Sequence, residues 1–272
     1  MKQVASLRYG VIFKKAFCDV EIFTGFVRDT LGITLEIDKV ETEKTFDTPV
    51  GKVQPRFDLY AEDKKNRIIV DIQHERHIDH YDRFLHYHCV ALLEQIKNSS
   101  SYRPNLSVYT IVVLTSGDKH KKDVLVTHFD PCDLNGNYVN AIPHKIIFLC
   151  PKYANENTPE PLKEWMQAVD DSLDGEVDET HYHLPEVLKI FSHIERDDIS
   201  PKEKARMIDE YNLEELKQTT FDEGIAEGIA EGVEKNKLDT ATAMIKKNLS
   251  SEMIAEITGL SEEIILHLQN KE

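Results

Sequence analysis

Long apolar runs, paired cysteines and an excess of positive charge are all missing from this 272-residue sequence. No apolar stretch approaches the roughly 20 residues that span a bilayer, and the first residues lack an apolar core of signal-peptide length. The four cysteines lie far apart and form no CxxC pair, which argues against a disulfide framework or a zinc site and favours buried thiols. We therefore expect a cytoplasmic protein without a membrane partner.

Acidic residues outnumber basic ones and give a net charge of -16, which at first argues against nucleic acid as a partner. The excess is unevenly spread, because residues 1–150 have a net charge of 0, residues 151–200 of -9 and residues 201–272 of -7. The neutral first half is compatible with a local basic surface. Such a surface would consist of Lys64, Lys65, Arg67, Lys119, Lys121 and Lys122. The acidic remainder favours solubility and says little about the fold.

Apolar spacing predicts a mixture of helices and strands. Apolar residues recur every three or four positions over residues 13–31, which end at Gly32, and over residues 77–96, as in amphipathic helices. The run VYTIVVL at residues 108–114 is continuously apolar except for one threonine and is rich in β-branched residues, which is typical of a buried central strand. Further strands are predicted at residues 33–40, 57–61, 67–73, 124–129 and 145–149. We expect an α/β (α+β) fold with a mixed central sheet flanked by helices.

The chain after residue 160 is predicted to be helical and acidic. Residues 170–179 (DDSLDGEVDE) have the composition of a solvated loop or linker. The run SPKE at residues 200–203 predicts a helix start with a capping box. These features divide the chain into a sheet domain over residues 1–200, a helical linker over residues 201–236 and a small helical tail over residues 237–272.

The predicted linker contains a repeat with a period of four residues, EGIA-EGIA-EGV, starting at residue 223. Gly224, Gly228 and Gly232 would form one stripe on a helix, where each glycine costs about 1 kcal/mol relative to alanine. This favours a hinge or a tight helix–helix contact, as in a homodimer through the C-terminal helices. A phosphate loop is disfavoured because no strand leads into the glycines.

The last segment has the outline of a helix-turn-helix, with a serine before each of two short helices and Gly259 between them. A DNA reader usually carries basic residues on the second helix. Here that helix begins with Glu262 and Glu263. A small helical unit for packing or self-association is therefore favoured over a DNA reader.

Two acids and an amide stand on a predicted hairpin. Two apolar runs flank a charged turn at residues 62–66; Asp58 lies in the first run, and Asp71 ends the second, two residues before Gln73. Because strand side chains alternate, Asp71 and Gln73 share a face while Ile72 points into the core. With Asp58 facing the same side, the pocket would suit a hard divalent cation such as Mg²⁺. The alternative is that Asp71 caps the following turn and is satisfied by backbone amides.

Five histidines follow this hairpin closely. His74, His77 and His80 are spaced by three, a spacing that can hold a transition metal on one helix face, and His86 and His88 come next. No second cluster closes the ligand shell. We therefore expect these histidines at the surface or just behind the ligands of the pocket.

The motifs taken together resemble those of a known family. They are FKKAF at residues 13–17, FD at 57–58, IVDIQ at 69–73, Arg83, Tyr87, the EGIA repeat and IAEITGLS at 254–261. In this series, which extends over nearly the whole chain, the sequence resembles recombination-promoting nucleases (the Rpn family, also described as putative transposases) of the PD-(D/E)xK phosphodiesterase superfamily. The resemblance implies that residues 1–200 form a PD-(D/E)xK-like nuclease domain, followed by an acidic, all-helical extension.

The resemblance also implies an activity, that of a metal-dependent DNA endonuclease with DNA as its partner and Mg²⁺ or Mn²⁺ as its cofactor. Asp58 and Asp71 would bind the metal with help from the Ile72 carbonyl. Gln73 would take the place of the superfamily's lysine. Being neutral, it cannot act as a general base, but it could orient the attacking water.

Arg83 and Tyr87, on the helix after the hairpin, would bind substrate or support the site. Arg83 could steady a phosphate or a carboxylate through its fork of donors. Pairing of Arg83 with Asp79, one helical turn earlier, is an equally good alternative.

Two positions depart from the family pattern. The family usually carries Glu where this chain has Asp71, whose side chain is shorter but keeps the charge. The family often has an Asp where this chain has Gly10, and that acid would complete the metal shell from the first helix. Its absence implies lower affinity or activity, or replacement by another acid such as Glu21 or Glu36. The alternative function is that of a catalytically impaired member, acting as a DNA-binding or oligomerising partner.

Overall fold

The computed structural model describes residues 1–46, 54–74, 80–96 and 102–270 of the chain. In chain order the helices and strands are β1 (Lys2–Gln3), α1 (Gly10–Phe17), α2 (Val20–Leu31), β2 (Glu41–Thr45), β3 (Arg56–Glu62), β4 (Asn66–Gln73), α3 (His80–Leu93), β5 (Ser107–Leu114), β6 (Val124–His128), β7 (Lys145–Leu149), α4 (Leu162–Asp171), β8 (Glu176–Val177), α5 (Pro185–His193), α6 (Pro201–Lys246), α7 (Ser251–Thr258) and α8 (Glu262–Gln269). The predicted fold class, a mixed sheet flanked by helices with a helical C-terminal region, is confirmed.

The central sheet has six strands in the order β2–β3–β4–β5–β7–β6. Strands β2, β3 and β4 are antiparallel neighbours, β4, β5 and β7 run parallel, and β6 is antiparallel to β7. The predicted hairpin is the β3–β4 pair. Strand β5 lies between two parallel neighbours, and its continuous apolar run covers both faces of the sheet at that point.

Helices cover both faces of this sheet. Ile68 and Val70 of β4 belong to the large core that contains residues of α1, α2, α4 and α5. Ile69, between them in sequence, faces the other side and packs with residues of α3. The alternation of strand side chains thus separates two cores, and polar side chains at the ends of β3 and β4 lie within reach of α1 and of α3.

The single helix predicted over residues 13–31 is wrong, because α1 ends at Phe17 and α2 begins at Val20. Asp19 between them has an extended backbone, and its carboxylate accepts the N–H groups of Glu21 and Ile22. Both helices bury their apolar side in the same core, so the apolar spacing runs through the break. The predicted end at Gly32 is confirmed, with a left-handed φ of 69°.

Two further segments differ from the prediction. Residues 33–40 form no strand. The strand at this edge of the sheet is β2, which is half-exposed and therefore tolerates the polar sequence ETEKT. Residues 170–179 are not a solvated linker, since they complete α4 and form β8, which pairs with β1. Ser172 and Val177 within them are buried. The strand partner, Lys2–Gln3, lies about 170 positions earlier and could not be read from local composition.

The C-terminal helices begin as predicted. The Ser200 N–H donates to Glu203 Oε2 at 2.7 Å, and the Glu203 N–H donates to Ser200 Oγ at 3.3 Å, which completes the capping box. Ser250 and Ser261 cap α7 and α8, which are separated by Gly259 with a φ of 69°. No helix in the described ranges has both the length and the apolarity needed to cross a membrane.

The chain divides into two compact units, Met1–Glu210 and Tyr211–Glu272. The first contains the sheet, and the second has a small core of its own made of Ala241, Ile254, Leu260 and Ile265. Apart from the neighbouring backbone of their own helix, no atom of the described chain lies within 4 Å of where a Cβ would stand on the three glycines of the repeat. The domain boundaries at residues 200 and 236 and the helix–helix contact at the glycines stay predictions.

The cysteines are free thiols in different environments. Cys150 is buried, Cys18 and Cys89 are half-buried, and Cys132 is exposed. The expectation of buried thiols is therefore confirmed for Cys150 and wrong for Cys132.

Candidate active site

Strands β3 and β4 bring Asp58 and Asp71 together where their ladder ends. Leu59 pairs with Val70, and the residue beyond each of them is an aspartate. The Asp58 N–H donates to Asp71 Oδ1 at 3.3 Å, and the Ile72 N–H donates to Asp58 Oδ2 at 3.3 Å. Each carboxylate thus accepts an N–H group of the opposite strand, as a backbone carbonyl does elsewhere in the ladder. This exchange holds the two side chains between the strands.

Asp71 is the most deeply buried acid of this pair, with 4% of its surface exposed. Burial, and then the negative charge of Asp58, raise its pKa well above the ordinary value of 3.8. Its Oδ2 is buried and has no hydrogen-bond partner in the described part of the chain. An ionised carboxylate in such a place is costly unless a cation approaches it. The alternative interpretation, a cap on the following turn, concerns residues 75–79, which lie outside the described residues.

A lysine and a glutamate join Asp58 from two other elements. Lys14 of α1 places Nζ 3.2 Å from Asp58 Oδ1 and also bonds to Glu43 of β2. Glu43 and Asp58 stand between the same two cross-strand pairs of the β2–β3 ladder. Glu43 has a left-handed φ of 56°, a conformation that costs a residue with a Cβ roughly 1–2 kcal/mol. Burial lowers the pKa of Lys14, but Asp58 and Glu43 outweigh it, so the pKa is raised and the ammonium stays charged.

Sequence reasoning did not select Lys14 or Glu43 as site residues. Lys14 was part of the FKKAF motif, but the sequence provided no reason to assign it a chemical role. Glu43 lay between the strands predicted at residues 33–40 and 57–61, in a stretch to which no strand was assigned. The one local signal for Glu43 is its place in a charged run, ETEK, which does not distinguish it from its neighbours.

Helix α3 contributes the predicted supporting residues. Arg83 Nη1 donates to Gln73 Oε1 at 3.1 Å, and its guanidinium lies over the Tyr87 ring at 5.3 Å. The Tyr87 ring in turn meets the ring of Phe57, next to Asp58 in sequence, at 5.7 Å. Arg83 therefore fixes the amide of Gln73, and Tyr87 supports the arginine. The alternative partner of Arg83, at position 79, lies outside the described residues.

A comparison with protein-family models covers most of the chain. Residues 11–220 match the model of a PD-(D/E)XK nuclease family transposase. The chain belongs to this family. The resemblance found in the sequence motifs is thereby confirmed, and the six-stranded mixed sheet is consistent with the PD-(D/E)XK fold. No curated protein and no solved structure showed significant similarity to the chain.

PD-(D/E)XK nucleases generally use divalent metal ions, and the aspartate pair fits such an ion. Within residues 1–46, 54–74, 80–96 and 102–270, no three His, Cys, Asp or Glu side chains are arranged to hold a metal. Mg²⁺ is often bound by only one or two carboxylates together with water. The buried Asp71 Oδ2, which lacks a hydrogen-bond partner in the described chain, is suited to be one of those ligands. The Ile72 carbonyl and water would supply the others.

The glycine at position 10 faces a carboxylate from α6. The Gly10 N–H donates to Glu210 Oε2 at 2.8 Å, and the Val11 N–H donates to Glu210 Oε1 at 3.2 Å. A Cβ on Gly10 would stand 3.6 Å from Lys14 Nζ and 3.8 Å from the nearer Glu210 oxygen. An acid distant in sequence therefore occupies the space beside position 10. Of the substitutes suggested by sequence, Glu21 bonds to a lysine of α5, and the other, at position 36, is exposed.

Replacing Glu210 with Ala is expected to lower the stability of the unit Met1–Glu210 by about 1–2 kcal/mol, because two N–H groups at the start of α1 lose their acceptor. Scanning calorimetry of the full chain should show a fall in Tm of about 2–4 °C per kcal/mol. Asp209→Ala is the matched control, since Asp209 is the exposed neighbour on the same helix. Equal effects of the two substitutions would contradict the capping role.

The histidines do not form one group. His74 and His80 are half-buried and His86 is exposed, while His77 lies outside the described residues. His88 is fully buried. The expectation of a surface position is therefore wrong for His88, which belongs to the core behind α3.

The predicted basic surface loses one member. Arg67 is 5% exposed, and its guanidinium bonds to Glu62, Glu94 and the Ala91 carbonyl. It is a structural ion pair within the hairpin and α3. The five lysines of the predicted surface are exposed, namely Lys64, Lys65, Lys119, Lys121 and Lys122.

Proposed function

We propose that this PD-(D/E)XK transposase family member is a metal-dependent DNA endonuclease that hydrolyses phosphodiester bonds in recombination or as a mobile-element product. The observation that supports it best is the buried Oδ2 of Asp71 beside Asp58, without a hydrogen-bond partner in the described chain. Burying a carboxylate in this way costs several kcal/mol by order of magnitude. A divalent cation, Mg²⁺ or Mn²⁺, offsets that cost and supports catalysis of phosphodiester hydrolysis at the aspartate pair.

The roles of the residues follow from their positions. Asp58 and Asp71, with the Ile72 carbonyl, hold the cation, which when bound supplies an acidified water and neutralises charge on the phosphate. Gln73 is neutral and orients the attacking water through its amide, which Arg83 fixes. Water adds to phosphorus, one P–O ester bond breaks, and the leaving oxygen takes up a proton. The products are one phosphate end and one hydroxyl end.

DNA as the substrate is supported by where the charges lie. The acidic excess of the chain falls within residues 151–272. Strands β4 and β5 run parallel and end at the same edge, where Gln73 pairs with Leu114. Exposed Lys119, Lys121 and Lys122 lie in the segment that follows β5. Positive side chains at the edge where β4 ends suit a polyanion.

A plasmid-nicking assay tests the proposed function. The purified full chain with Mg²⁺ or Mn²⁺ is expected to nick supercoiled DNA, and EDTA is expected to stop it. Asp71→Ala should slow nicking about a hundredfold or more, equivalent to ~2.7 kcal/mol of barrier, while Asp82→Ala, at an exposed acid of α3, leaves it unchanged. Nicking that survives Asp71→Ala would remove Asp71 from the mechanism.

A second candidate is a catalytically impaired member that acts as a DNA-binding or oligomerising partner. It is favoured by Gly10, which carries no acid, and by the contact of Lys14 with Asp58. Exposed Ile225, Ile229 and Val233 of α6 would serve a homodimer through the C-terminal helices. Absence of nicking by wild type, together with DNA binding or a dimer by light scattering, would favour this candidate over the nuclease.

A further inference from the structure

Lys14 brings one ammonium group to the acids of the candidate site. Its Nζ lies 3.2 Å from Asp58 Oδ1 and bonds to Glu43, and its positive charge also acts on Asp71. Its side chain is only 18% exposed. Among the described residues, Lys14 is the only lysine with an ion pair to either aspartate. The ammonium is therefore part of the centre and not a surface charge near it.

The helix that carries Lys14 is anchored on both sides of this residue. Glu210 accepts the N–H groups at the start of α1. Lys15, next in sequence, donates to the Asp198 carbonyl at 2.8 Å and to Glu203 at 3.2 Å. Glu43 meets the ammonium from the opposite side, although its backbone must adopt a left-handed φ to do so. Such contacts hold a side chain in one place before any substrate arrives, which is how catalytic groups are arranged.

We propose that Lys14 is a catalytic residue of this site, whose ammonium donates to a non-bridging oxygen of the scissile phosphate and stabilises the charge that develops there. The proposal rests on the nuclease function proposed above and names a further residue for it. Gln73 carries no charge, and Arg83 is engaged with the Gln73 amide. When Asp58 binds a cation, Glu43 remains as the acidic partner of Lys14, and the ammonium can turn to the phosphate. Lys14 transfers no proton in this step; the bonds made and broken are those of hydrolysis.

The competing interpretation is that Lys14 is only a counter-ion of Asp58 and stabilises the fold. Three variants separate the two roles. Lys14→Met keeps the length and removes the charge, Lys14→Arg keeps the charge, and Lys152→Met removes an exposed lysine of the same unit. For each variant, the single-turnover nicking rate at saturating Mn²⁺ and the Mn²⁺ affinity by calorimetry are measured on the full chain.

Lys14→Met is expected to nick about a hundredfold more slowly, the loss seen when one preorganised donor is removed. Its Mn²⁺ affinity is expected to be equal to or higher than that of wild type, because an ammonium no longer shares Asp58 Oδ1. Lys14→Arg should recover about tenfold of the rate through a charged donor. Lys152→Met should stay within about threefold of wild type, because substitutions on the surface away from such contacts have small effects.

The outcomes that overturn the inference differ from the one that overturns the function. If Lys14→Met nicks DNA at the wild-type rate, Lys14 is only a structural counter-ion. The same conclusion follows if Lys14→Met binds Mn²⁺ more weakly and a higher Mn²⁺ concentration restores both binding and the nicking rate. A wild-type protein that binds Mn²⁺ but does not nick DNA would overturn the nuclease function itself, and the role of Lys14 with it.

Discussion

Asp71→Asn is expected to abolish metal-dependent nicking and, at the same time, to make the metal-free protein more stable at pH 7. Asparagine keeps the oxygen that accepts the Asp58 N–H. It removes a charge that is buried at 4% exposure next to a second carboxylate. Removal of a buried, uncompensated charge is worth about 1–3 kcal/mol. The Asp71 carboxylate would thus be both the metal ligand and the source of the instability.

The pH dependence of this effect follows from the raised pKa of Asp71. The folded protein binds a proton at Asp71 more tightly than the unfolded chain does, where the ordinary value is 3.8. Ionising Asp71 therefore costs stability, and this cost grows as pH rises from about 4 through the raised pKa. The metal-free wild type should lose stability over this interval relative to Asp71→Asn, and the two proteins should converge at low pH.

Scanning calorimetry with EDTA or with Mn²⁺ measures both effects. Without metal, the Tm of Asp71→Asn should exceed that of wild type by about 2–4 °C per kcal/mol. With Mn²⁺ at one hundred times its Kd, wild type should gain about 2.7 kcal/mol and the variant almost nothing. Asp82→Asn, an exposed acid, serves as control. A variant that is less stable than wild type without metal would mean that Asp71 is a structural acid and not a strained ligand.

The unit Met1–Glu210 is expected to lose stability steeply below pH 6.5 because of His88. This histidine is fully buried, its Nδ1 lies 2.9 Å from Thr110 Oγ1, and its ring stacks on Phe129 at 4.9 Å. Its Nε2 has no hydrogen-bond partner in the parts of the chain that the structure describes. Burial, and then the neighbouring His144, lower its pKa to about 3. The imidazole is therefore neutral in the fold.

The sign of the effect follows from this lowered pKa. An unfolded histidine has a pKa of about 6.5, so below that pH the unfolded chain takes up a proton that the folded protein refuses. The stability contribution is constant above pH 6.5 and falls as pH decreases, by up to about 1.4 kcal/mol per pH unit, until the folded pKa is reached. The raised pKa of Asp71 changes the stability in the opposite direction as pH falls. The effect of His88 is therefore measured in the Asp71→Asn protein, from which the contribution of Asp71 has been removed.

Calorimetry between pH 7.5 and pH 5 checks this expectation. When His88→Gln is added to the Asp71→Asn parent, the Tm should depend less steeply on pH than in the parent, whatever the Tm of the double variant at pH 7.5. His86→Gln, at an exposed histidine of the same helix, should keep the parent's slope. If removal of His88 leaves the slope unchanged, another group is responsible for the acid sensitivity.

The sequence by itself determined the elements whose signals are local. The hairpin of β3 and β4 follows from two apolar runs around a charged turn, and β5 from one continuous apolar run. Because side chains alternate on strands, this was enough to set Asp58, Asp71 and Gln73 near one another. Helix caps were readable for the same reason, since the capping box at Ser200 joins residues three apart.

Features that depend on partners distant in sequence were missed or wrongly predicted. The break at Asp19 was hidden because α1 and α2 bury their apolar sides in one core. The strand β8 exists because β1 pairs with it from the other end of the chain. His88 was grouped with histidines expected at the surface or just behind the ligands of the pocket, whereas in the fold it is buried and contacts Phe129 and Thr110.

The tertiary structure alone decided what surrounds the aspartate pair. Lys14 meets Glu43 across 29 positions and Asp58 across 44, and Glu210 meets Gly10 across 200. No periodicity links residues so far apart, because their approach depends on how α1, β2 and α6 pack together. Apolar patterning says which face of each element is buried, but a polar side chain at an element's edge finds its partners only after packing. The two acids of the hairpin could therefore be predicted. Lys14, which pairs with Asp58, Glu43, which bonds to Lys14, and Glu210, which caps the helix of Lys14, could not.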